Sequence, residues 1–388
     1  MRTQRKLRKY SVLSLLFLSC TLMGLQCPGL NFFAKLELHF AGVTKYIGDY
    51  TPATSETLPN GFVKHTFDTD NGDGPICIAG TPFTVFTKAA NPYKLLIFLN
   101  GGGACWQDFY FCTILAEDSV GDVSPGIFGD SFDTGSEVID NPFADYSVMF
   151  VSYCDGSVHS GDNDVVDPNF PFGPVRFHRG LRNLTAALDL AKDEFPYAQT
   201  VLLSGASAGG VGAAGFAPFL TRFIFGNHKR LRVFNDAGPI AINPNDTAGI
   251  AARAADWQFE QFYPGSCTNC SADNQGTEIV KWRLDNDSTV KEAFYSTDGD
   301  ATNRFFLQVP TQQAYRDIIV PLHGEVNALH PERYKRFIRS GDDSHTALGT
   351  DLFYIGEADD VPLYEWTEDF VRMKPGWVDI VEDFVPVP

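Results

Sequence analysis

A serine flanked by glycines is the residue of this chain best suited to nucleophilic chemistry. Residues 205–210 read Gly-Ala-Ser-Ala-Gly-Gly and directly follow the mostly apolar run 200–204. Small residues at these positions let the backbone turn sharply from a strand into a helix, which exposes the serine oxygen. We predict Ser207 as a nucleophile. The alternative is an ordinary glycine-rich turn, because short G-x-S-x-G matches occur often by chance.

A nucleophilic serine needs a general base, and hydrolase folds supply the triad in the chain order serine, acid, histidine. Four histidines follow Ser207, at positions 228, 323, 330 and 345. Only His345 lies in a loop just past a predicted strand, where a base can reach the serine. We therefore predict His345 as the base, and we predict that His323 and His330 are surface groups beside a helical segment.

The acid that orients the base should follow the strand before the histidine strand. Asp300, in the sequence Thr-Asp-Gly-Asp-Ala, occupies this position and is the predicted acid. Asp298 lies two residues earlier, and Asp236 ends the strand after the serine. Both remain alternatives, and Asp236 could equally be a turn-capping carboxylate.

The oxyanion of acyl transfer needs inward-pointing N–H donors. One should come from Ala208, which follows the nucleophile, and another from the early loop 100–106, Asn-Gly-Gly-Gly-Ala-Cys-Trp. A phosphate-binding role for this loop is disfavoured because no Lys and Ser/Thr pair follows it. Trp106 in this loop and His159 in the loop 153–162 are predicted to contact substrate. The alternative for His159 is a local hydrogen bond.

Strand-like and helix-like runs alternate along the chain, which predicts an α/β fold with a mostly parallel sheet flanked by helices. Predicted strands are 95–100, 146–153, 200–204, 231–234, 293–296 and 334–338, and predicted helices are 179–192, 209–225 and 364–373. Residues 27–388 are predicted to form one catalytic domain. Within it, 240–290 is interpreted as a cap-like insertion and 162–175 as a long loop.

Residues 1–26 begin with five basic residues, continue with an apolar stretch and reach small residues near Ser19. This is typical of a secretory signal peptide. Cys20 also suggests, weakly, a lipid anchor at the start of the mature protein. The formal charge of −18 argues against nucleic acid as a partner, and no later segment is apolar over the length needed to span a membrane.

Six cysteines follow position 76 in a chain that we predict to be exported, so we expect disulfides. Of 15 possible connectivities, we favour Cys105 with Cys112 and Cys267 with Cys270, which leaves Cys77 for Cys154. Residues 267–270 could instead form half of a zinc site. The stretch 68–74, rich in Asp, Asn and Gly, suggests calcium only weakly because it departs from a calcium-loop pattern. We predict no metal and no cofactor.

Four segments, taken in order, resemble the signatures of the pectin acetylesterase and Notum family, in particular its bacterial-type members. They are residues 99–106, 153–162, 205–210 and 235–238. The resemblance implies an α/β-hydrolase-like carboxylesterase that removes acetyl from pectin in plant-type members and a lipid acyl group from a signalling protein in Notum. Carried over by position, it implies Ser207, Asp300 and His345 as the triad. It also implies that the oxyanion donors are Gly102, Gly103 and Ala208.

These observations together predict a secreted serine esterase whose substrate is an acetylated polysaccharide such as pectin. The strong negative charge fits an anionic polymer poorly, so neutral acetylated glycans and small esters stay open. Two other functions remain: a lipid-ester or protein O-deacylase, and a non-catalytic binding protein on the same scaffold.

Overall fold

The computed structural model describes residues 28–69, 72–120 and 126–387. The predicted signal peptide and lipid-anchor site at residues 1–26 lie outside these ranges. So do Asp70 and Asn71 of the weak calcium candidate. Around the rest of that stretch, Arg179 and Arg182 donate hydrogen bonds to the carbonyl oxygens of residues 72, 73 and 74.

A ten-stranded sheet organises the described residues. Its strand order is β1-β2-β3-β9-β4-β12-β13-β14-β15-β18, with β1, β2 and β3 antiparallel and all neighbours from β9 to β18 parallel. The strands are β1 (Thr54–Thr57), β2 (Val63–Phe67), β3 (Phe83–Lys88), β4 (Asn91–Leu99), β9 (Tyr146–Val151), β12 (Thr200–Ala206), β13 (Arg230–Asp236), β14 (Lys291–Thr297), β15 (Tyr334–Arg339) and β18 (Ile380–Val381).

Four antiparallel hairpins lie outside the main sheet. They are β5 (Gly103–Trp106) with β6 (Phe109–Cys112), β7 (Ser131–Asp133) with β8 (Val138–Asp140), β10 (Asn163–Val166) with β11 (Val175–His178), and β16 (Glu357–Ala358) with β17 (Val361–Pro362). The hairpin of β10 and β11 corrects the prediction that 162–175 is a loop throughout. Each of its strands has only four residues and mixes polar with apolar side chains, so neither gives a clear strand pattern in the sequence.

The helices cover both faces of the sheet. They are α1 (Phe32–Phe40), α2 (Gly180–Glu194), α3 (Ala208–Ala214), α4 (Ala217–Phe225), α5 (Thr247–Trp257), α6 (Thr277–Asn286), α7 (Ala301–Phe306), α8 (Gln312–Leu329), α9 (Leu352–Ile355) and α10 (Leu363–Arg372), with a short 3₁₀ helix at Phe259–Phe262. The mixed α/β fold with a mostly parallel central sheet is confirmed.

The buried strands are apolar because both of their faces are covered. In β4, Leu95, Ile97 and Leu99 pack into one core cluster, while Leu96 and Phe98 pack into the cluster on the opposite face. This alternation follows from the two-residue period of a strand. It explains why the strand reads as a continuous apolar run rather than as an alternating one.

The predicted single helix 209–225 is two helices, α3 and α4. Continuing α3 would require the backbone N–H of residue 218 to bond the carbonyl of residue 214, but Pro218 has no N–H. The chain therefore breaks at Gly215 and Phe216. No single helix in the described ranges is long and apolar enough to cross a membrane; α3 and α4 together pass on length and composition but meet at a bend of 53°.

The three predicted disulfides are confirmed: Cys77 with Cys154, Cys105 with Cys112, and Cys267 with Cys270. The last bond excludes the alternative of a zinc half-site at these two cysteines. The first joins the segment before β3 to the loop after β9, and the second closes the β5–β6 hairpin.

The prediction that His323 is a surface group is wrong. His323 is fully buried on α8, where it stacks on Phe294 and bonds the Pro239 carbonyl at 2.9 Å. Burial lowers its pKa to about 3, so it is neutral. His323 is buried because α8 packs against the sheet, and this packing is not visible in the local sequence. His330 is partly buried near Asp285.

Candidate active site

Ser207 stands on a strained turn between β12 and α3. Its backbone has φ 58° and ψ −121°, a conformation that residues other than glycine rarely adopt. Its N–H donates to the carbonyl oxygen of Asp236 at 2.8 Å, and its carbonyl accepts from the N–H of Val211 at 3.1 Å. These bonds hold the turn in place, with Ser207 in the wall of a cavity.

Glycines beside Ser207 are required by close backbone approach. A Cβ at Gly209 would overlap the carbonyl oxygen of Leu99 on β4, and one at Gly205 would overlap the carbonyl oxygen of Gly209. A Cβ at Gly210 would similarly overlap the side-chain oxygen of Asn235. The glycine pattern that marked the turn in the sequence therefore has a steric cause.

The glycine triplet after β4 lies against the serine turn. A Cβ on Gly101 would meet the carbonyl oxygen of Ala206 and the Cβ of Ser207, and one on Gly103 would overlap the carbonyl oxygen of Phe111. Gly103 also has φ +77°, which favours glycine. The loop thus passes close to the serine without side chains in between, as an oxyanion loop must.

Ala208 is the first residue of α3, so helix geometry gives its N–H no intrahelical acceptor. Gly103 and Ala208 both line the cavity together with Ser207. An oxyanion placed at this helix start would also be favoured by the helix dipole.

His345 and Asp300 are hydrogen-bonded, with Nδ1 of the imidazole 2.8 Å from Oδ2 of the carboxylate. Asp300 is fully buried and also accepts bonds from the backbone N–H and side-chain amide of Asn303, at 2.8 Å and 2.7 Å. Burial raises the pKa of Asp300, an effect that His345 and the bonds from Asn303 oppose. Asn303 lines the cavity beside Ser207, so it links the acid to the wall that carries the serine.

Nε2 of His345 is buried and has no hydrogen-bond partner among the residues that the structure describes. The imidazole is therefore fixed through one nitrogen, and the other is left for proton transfer. Catalytic hydrogen bonds often form only once substrate is bound.

The alternative acids have other partners. Asp236 accepts from the backbone N–H groups of Ala347 and Leu348, at 3.1 Å and 2.8 Å, and so holds the loop just after His345. Burial raises its pKa to about 7. Because the carbonyl of Asp236 also accepts from Ser207, this residue joins the serine turn to the histidine loop.

Asp298 instead contacts α8 and the residue that follows β15. It accepts from Arg316 at 2.5 Å, Gln312 at 2.7 Å and the hydroxyl of Ser340 at 2.7 Å. The structure thus pairs His345 with Asp300 rather than with Asp298 or Asp236.

A cavity of about 210 Å³ opens beside Ser207. Its wall is mostly apolar and comes largely from the segment 240–290. The apolar side chains in it larger than alanine are Trp106, Val158, Val211, Phe216, Pro239, Ile240, Ile242, Ile250, Trp257, Phe259, Ile279, Phe306 and Leu307.

The two residues predicted to contact substrate differ in placement. Trp106 lines the cavity and stacks on Phe109, with ring centroids 4.0 Å apart. His159 is 1% exposed, does not belong to the cavity wall, and bonds the carbonyl oxygen of Asn100 at 3.0 Å through Nε2. This bond matches the alternative of a local hydrogen bond. His159 therefore contacts the start of the glycine loop and not the cavity.

Comparison with known proteins supplies the family. The pectinacetylesterase family model matches residues 59–277, more than half of the chain. This chain belongs to the pectinacetylesterase family. It is also similar to pectin acetylesterase 11 of Arabidopsis thaliana, with 32% identity over 147 residues. That alignment covers 36% of this chain and 36% of the plant protein.

The match to the pectinacetylesterase model includes the glycine loop and the Ser207 turn, but it ends before Asp300 and His345. The pairing of these two residues is therefore supported by the hydrogen bond in the structure and not by the family match. Sequence reasoning missed Asn303 and the loop-holding role of Asp236. An Asn three residues after an N-capping Asp is a signal that could have identified the first.

No group of three or more His, Cys, Asp or Glu side chains suited to hold a metal occurs in the described ranges.

Proposed function

We propose that the protein is a secreted serine carboxylesterase that removes acyl groups, above all acetyl, from a polysaccharide such as pectin. The proposed catalytic residues are Ser207, His345 and Asp300, and the reaction needs no cofactor. Membership in a family of carboxylic ester hydrolases supports the reaction class. The three disulfides are typical of proteins from an oxidising compartment and support export.

In this reaction Oγ of Ser207 attacks the ester carbonyl carbon while Nε2 of His345 takes the hydroxyl proton. Asp300 holds Nδ1–H and stabilises the imidazolium that forms. The N–H groups of Gly102, Gly103 and Ala208 would bind the oxyanion. His345 then gives its proton to the leaving alcohol, and water, activated by the same imidazole, releases the acid from the acyl-enzyme.

The observation that carries this proposal is the hydrogen bond between Asp300 and Nδ1 of His345, with Nε2 left unbonded. A histidine held in this way has its tautomer fixed as a base. Two links tie this pair to the serine: the cavity wall shared by Asn303 and Ser207, and the bonds that Asp236 makes to both loops.

The test is acetate release from acetylated pectin and from acetylxylan by wild type and by S207A. We expect S207A to lose about 10⁴-fold or more in kcat. The matched control is S204A: Ser204 is buried three residues earlier on β12 and bonds the Phe234 carbonyl at 3.2 Å. We expect S204A to keep its activity. Equal activity of S207A and wild type would remove the serine from the mechanism.

A second candidate function is a lipid-ester or protein O-deacylase. The apolar cavity of about 210 Å³ favours it, because an acetyl group occupies only a small part of such a space. Comparing kcat/KM for p-nitrophenyl acetate, octanoate and palmitate separates the two functions. A higher value for the longer esters would favour the deacylase.

A further inference from the structure

Among the residues that the structure describes, Arg253 is the one charged side chain that lines the cavity. It lies on α5, where residues 250, 253 and 257 share one face because helical neighbours recur every three to four residues. Ile250 and Trp257 are apolar, so Arg253 is a cation in an otherwise uncharged wall. Such a placement is costly unless the charge has a partner.

Asp246 is the hydrogen-bond partner of Arg253, and it accepts from only one nitrogen of the guanidinium. Nη1 donates to Oδ2 of Asp246 at 3.3 Å, which makes an ion pair with a long hydrogen bond. Asp246 is itself engaged, since Oδ1 accepts from the N–H of Gly249 at 3.0 Å as the N-cap of α5. Within the described residues, Arg253 makes no other hydrogen bond. The guanidinium has five N–H donors, so one edge is open to an acceptor.

A cation–π contact places the guanidinium of Arg253 against Trp106. Its central carbon lies 4.8 Å from the ring centroid of Trp106, which follows the glycine loop. This contact brings the cation from the helical segment towards the side of the cavity that carries the proposed oxyanion donors.

The helix that presents Arg253 is firmly held. Asp256 accepts from Arg176 and from the N–H of Gln107, both at 2.6 Å, and the indole N–H of Trp257 donates to the carbonyl of Cys105 at 2.8 Å. These bonds join the C-terminal turn of α5 to β11, through Arg176, and to the β5–β6 hairpin, through Cys105 and Gln107. Arg253 is therefore preorganised, and a ligand need not order it.

We propose that Arg253 binds a free carboxylate of the substrate and so selects acetylated polymers whose uronic acid units are not esterified. The proposal rests on the proposed esterase function and names a specificity residue for it. A guanidinium can bind a carboxylate through two parallel hydrogen bonds. It would supply local attraction in a protein whose overall charge of −18 repels anionic polymers.

The experiment compares kcat/KM for acetate release from two forms of one acetylated polyuronate, with free carboxyl groups or with methyl-esterified ones. Methylation removes the charge and leaves the acetyl ester in place. For wild type we expect the free-acid form to be better by about tenfold or more, the usual value of a charge-assisted pair. In R253Q this ratio should fall towards one, and R253K should be intermediate because its ammonium lacks the paired donors.

The matched control is R372Q, which removes an arginine on α10 that is 54% exposed in its side chain and paired with Glu368. We expect it to keep the wild-type ratio. A ratio near one in wild type, or the same ratio in R253Q as in wild type, would overturn the proposal.

A binding measurement on the wild-type protein keeps the two proposals apart. Isothermal titration with an unacetylated oligouronate and with its methyl ester tests Arg253 even if no acetate is released from any substrate. We expect the free acid to bind about tenfold tighter. Equal binding of the two would overturn the role of Arg253, whereas failure of all ester hydrolysis would overturn only the proposed function.

Discussion

The carboxyl edge of the sheet and the helical segment 240–290 form two sides of one cavity and are built in different ways. At the sheet edge, glycines and backbone hydrogen bonds fix the positions, and a single added methyl group would overlap a neighbour. In the helical segment, bulky side chains form the cavity wall. Among the described residues, Arg253 is the one charged side chain that lines the cavity. We infer that the edge determines whether an ester reacts and that the segment determines which ester is accepted.

The largest expected effect is at the sheet edge, for D300N. An amide there cannot stabilise the imidazolium or hold the correct tautomer, so we expect kcat to fall about 10⁴-fold. The control is D298N, because Asp298 is also buried but contacts Arg316, Gln312 and Ser340 instead. D298N should lower the free energy of unfolding by about 1–3 kcal/mol and change kcat little. Equal losses of kcat in both variants would contradict the assignment.

The next effect tests whether backbone placement matters at this edge. In G103A the new methyl group would overlap the Phe111 carbonyl and displace the proposed oxyanion donors. We expect kcat to fall about 10²-fold or more. Gly135 has a similar φ, +83°, with nothing near its missing Cβ. G135A should therefore show a similar backbone strain of about 1 kcal/mol in thermal unfolding and normal kcat. A normal kcat for G103A would show that backbone placement at the sheet edge does not control the reaction.

A smaller effect is expected in the helical segment. I250W fills part of the cavity and should lower kcat/KM for p-nitrophenyl octanoate by about tenfold relative to the acetate. A251W, at an exposed position of the same helix, should leave this ratio unchanged. If I250W lowers both esters equally, the segment does not select the acyl group.

The smallest effect concerns stability and pH at Asp236. Its folded-state pKa of about 7 exceeds the unfolded value of about 4, so the folded state binds the proton more tightly. Stability from this group is full below about pH 4 and is lost as the pH rises to about 7. D236N should remove that loss, so its urea midpoint should fall less between pH 5 and pH 8 than that of wild type. Parallel midpoints in the two proteins would contradict the buried, proton-binding state of Asp236.

The sequence predicts best those features that have local causes. The strand before Ser207 is predictable because burial on both faces makes it apolar. The glycines around Ser207 are predictable because close backbone contacts exclude side chains. The short disulfides follow from spacing. The six central strands of the main sheet and the chain positions of Asp300 and His345 could therefore be predicted. The strands nearer its edges, β1, β2, β3 and β18, were not predicted.

Features that depend on distant contacts could not be read in this way. His323 lies on the mixed polar and apolar helix α8 and packs against Phe294 of the sheet, and the role of Asp236 depends on the loop that follows His345. Arg253 looks like a surface residue of an alanine-rich helix, and only the packing of α5 on Trp106 places it in the cavity.

Labelling with a fluorophosphonate probe tests the central claim most directly, because the probe reacts with an activated serine whatever the natural substrate is. Mass spectrometry of digested protein should find one adduct, on the peptide that contains Ser207, formed in wild type and absent in S207A. H345A should form it far more slowly. An adduct on another serine, or undiminished labelling of S207A, would contradict the account.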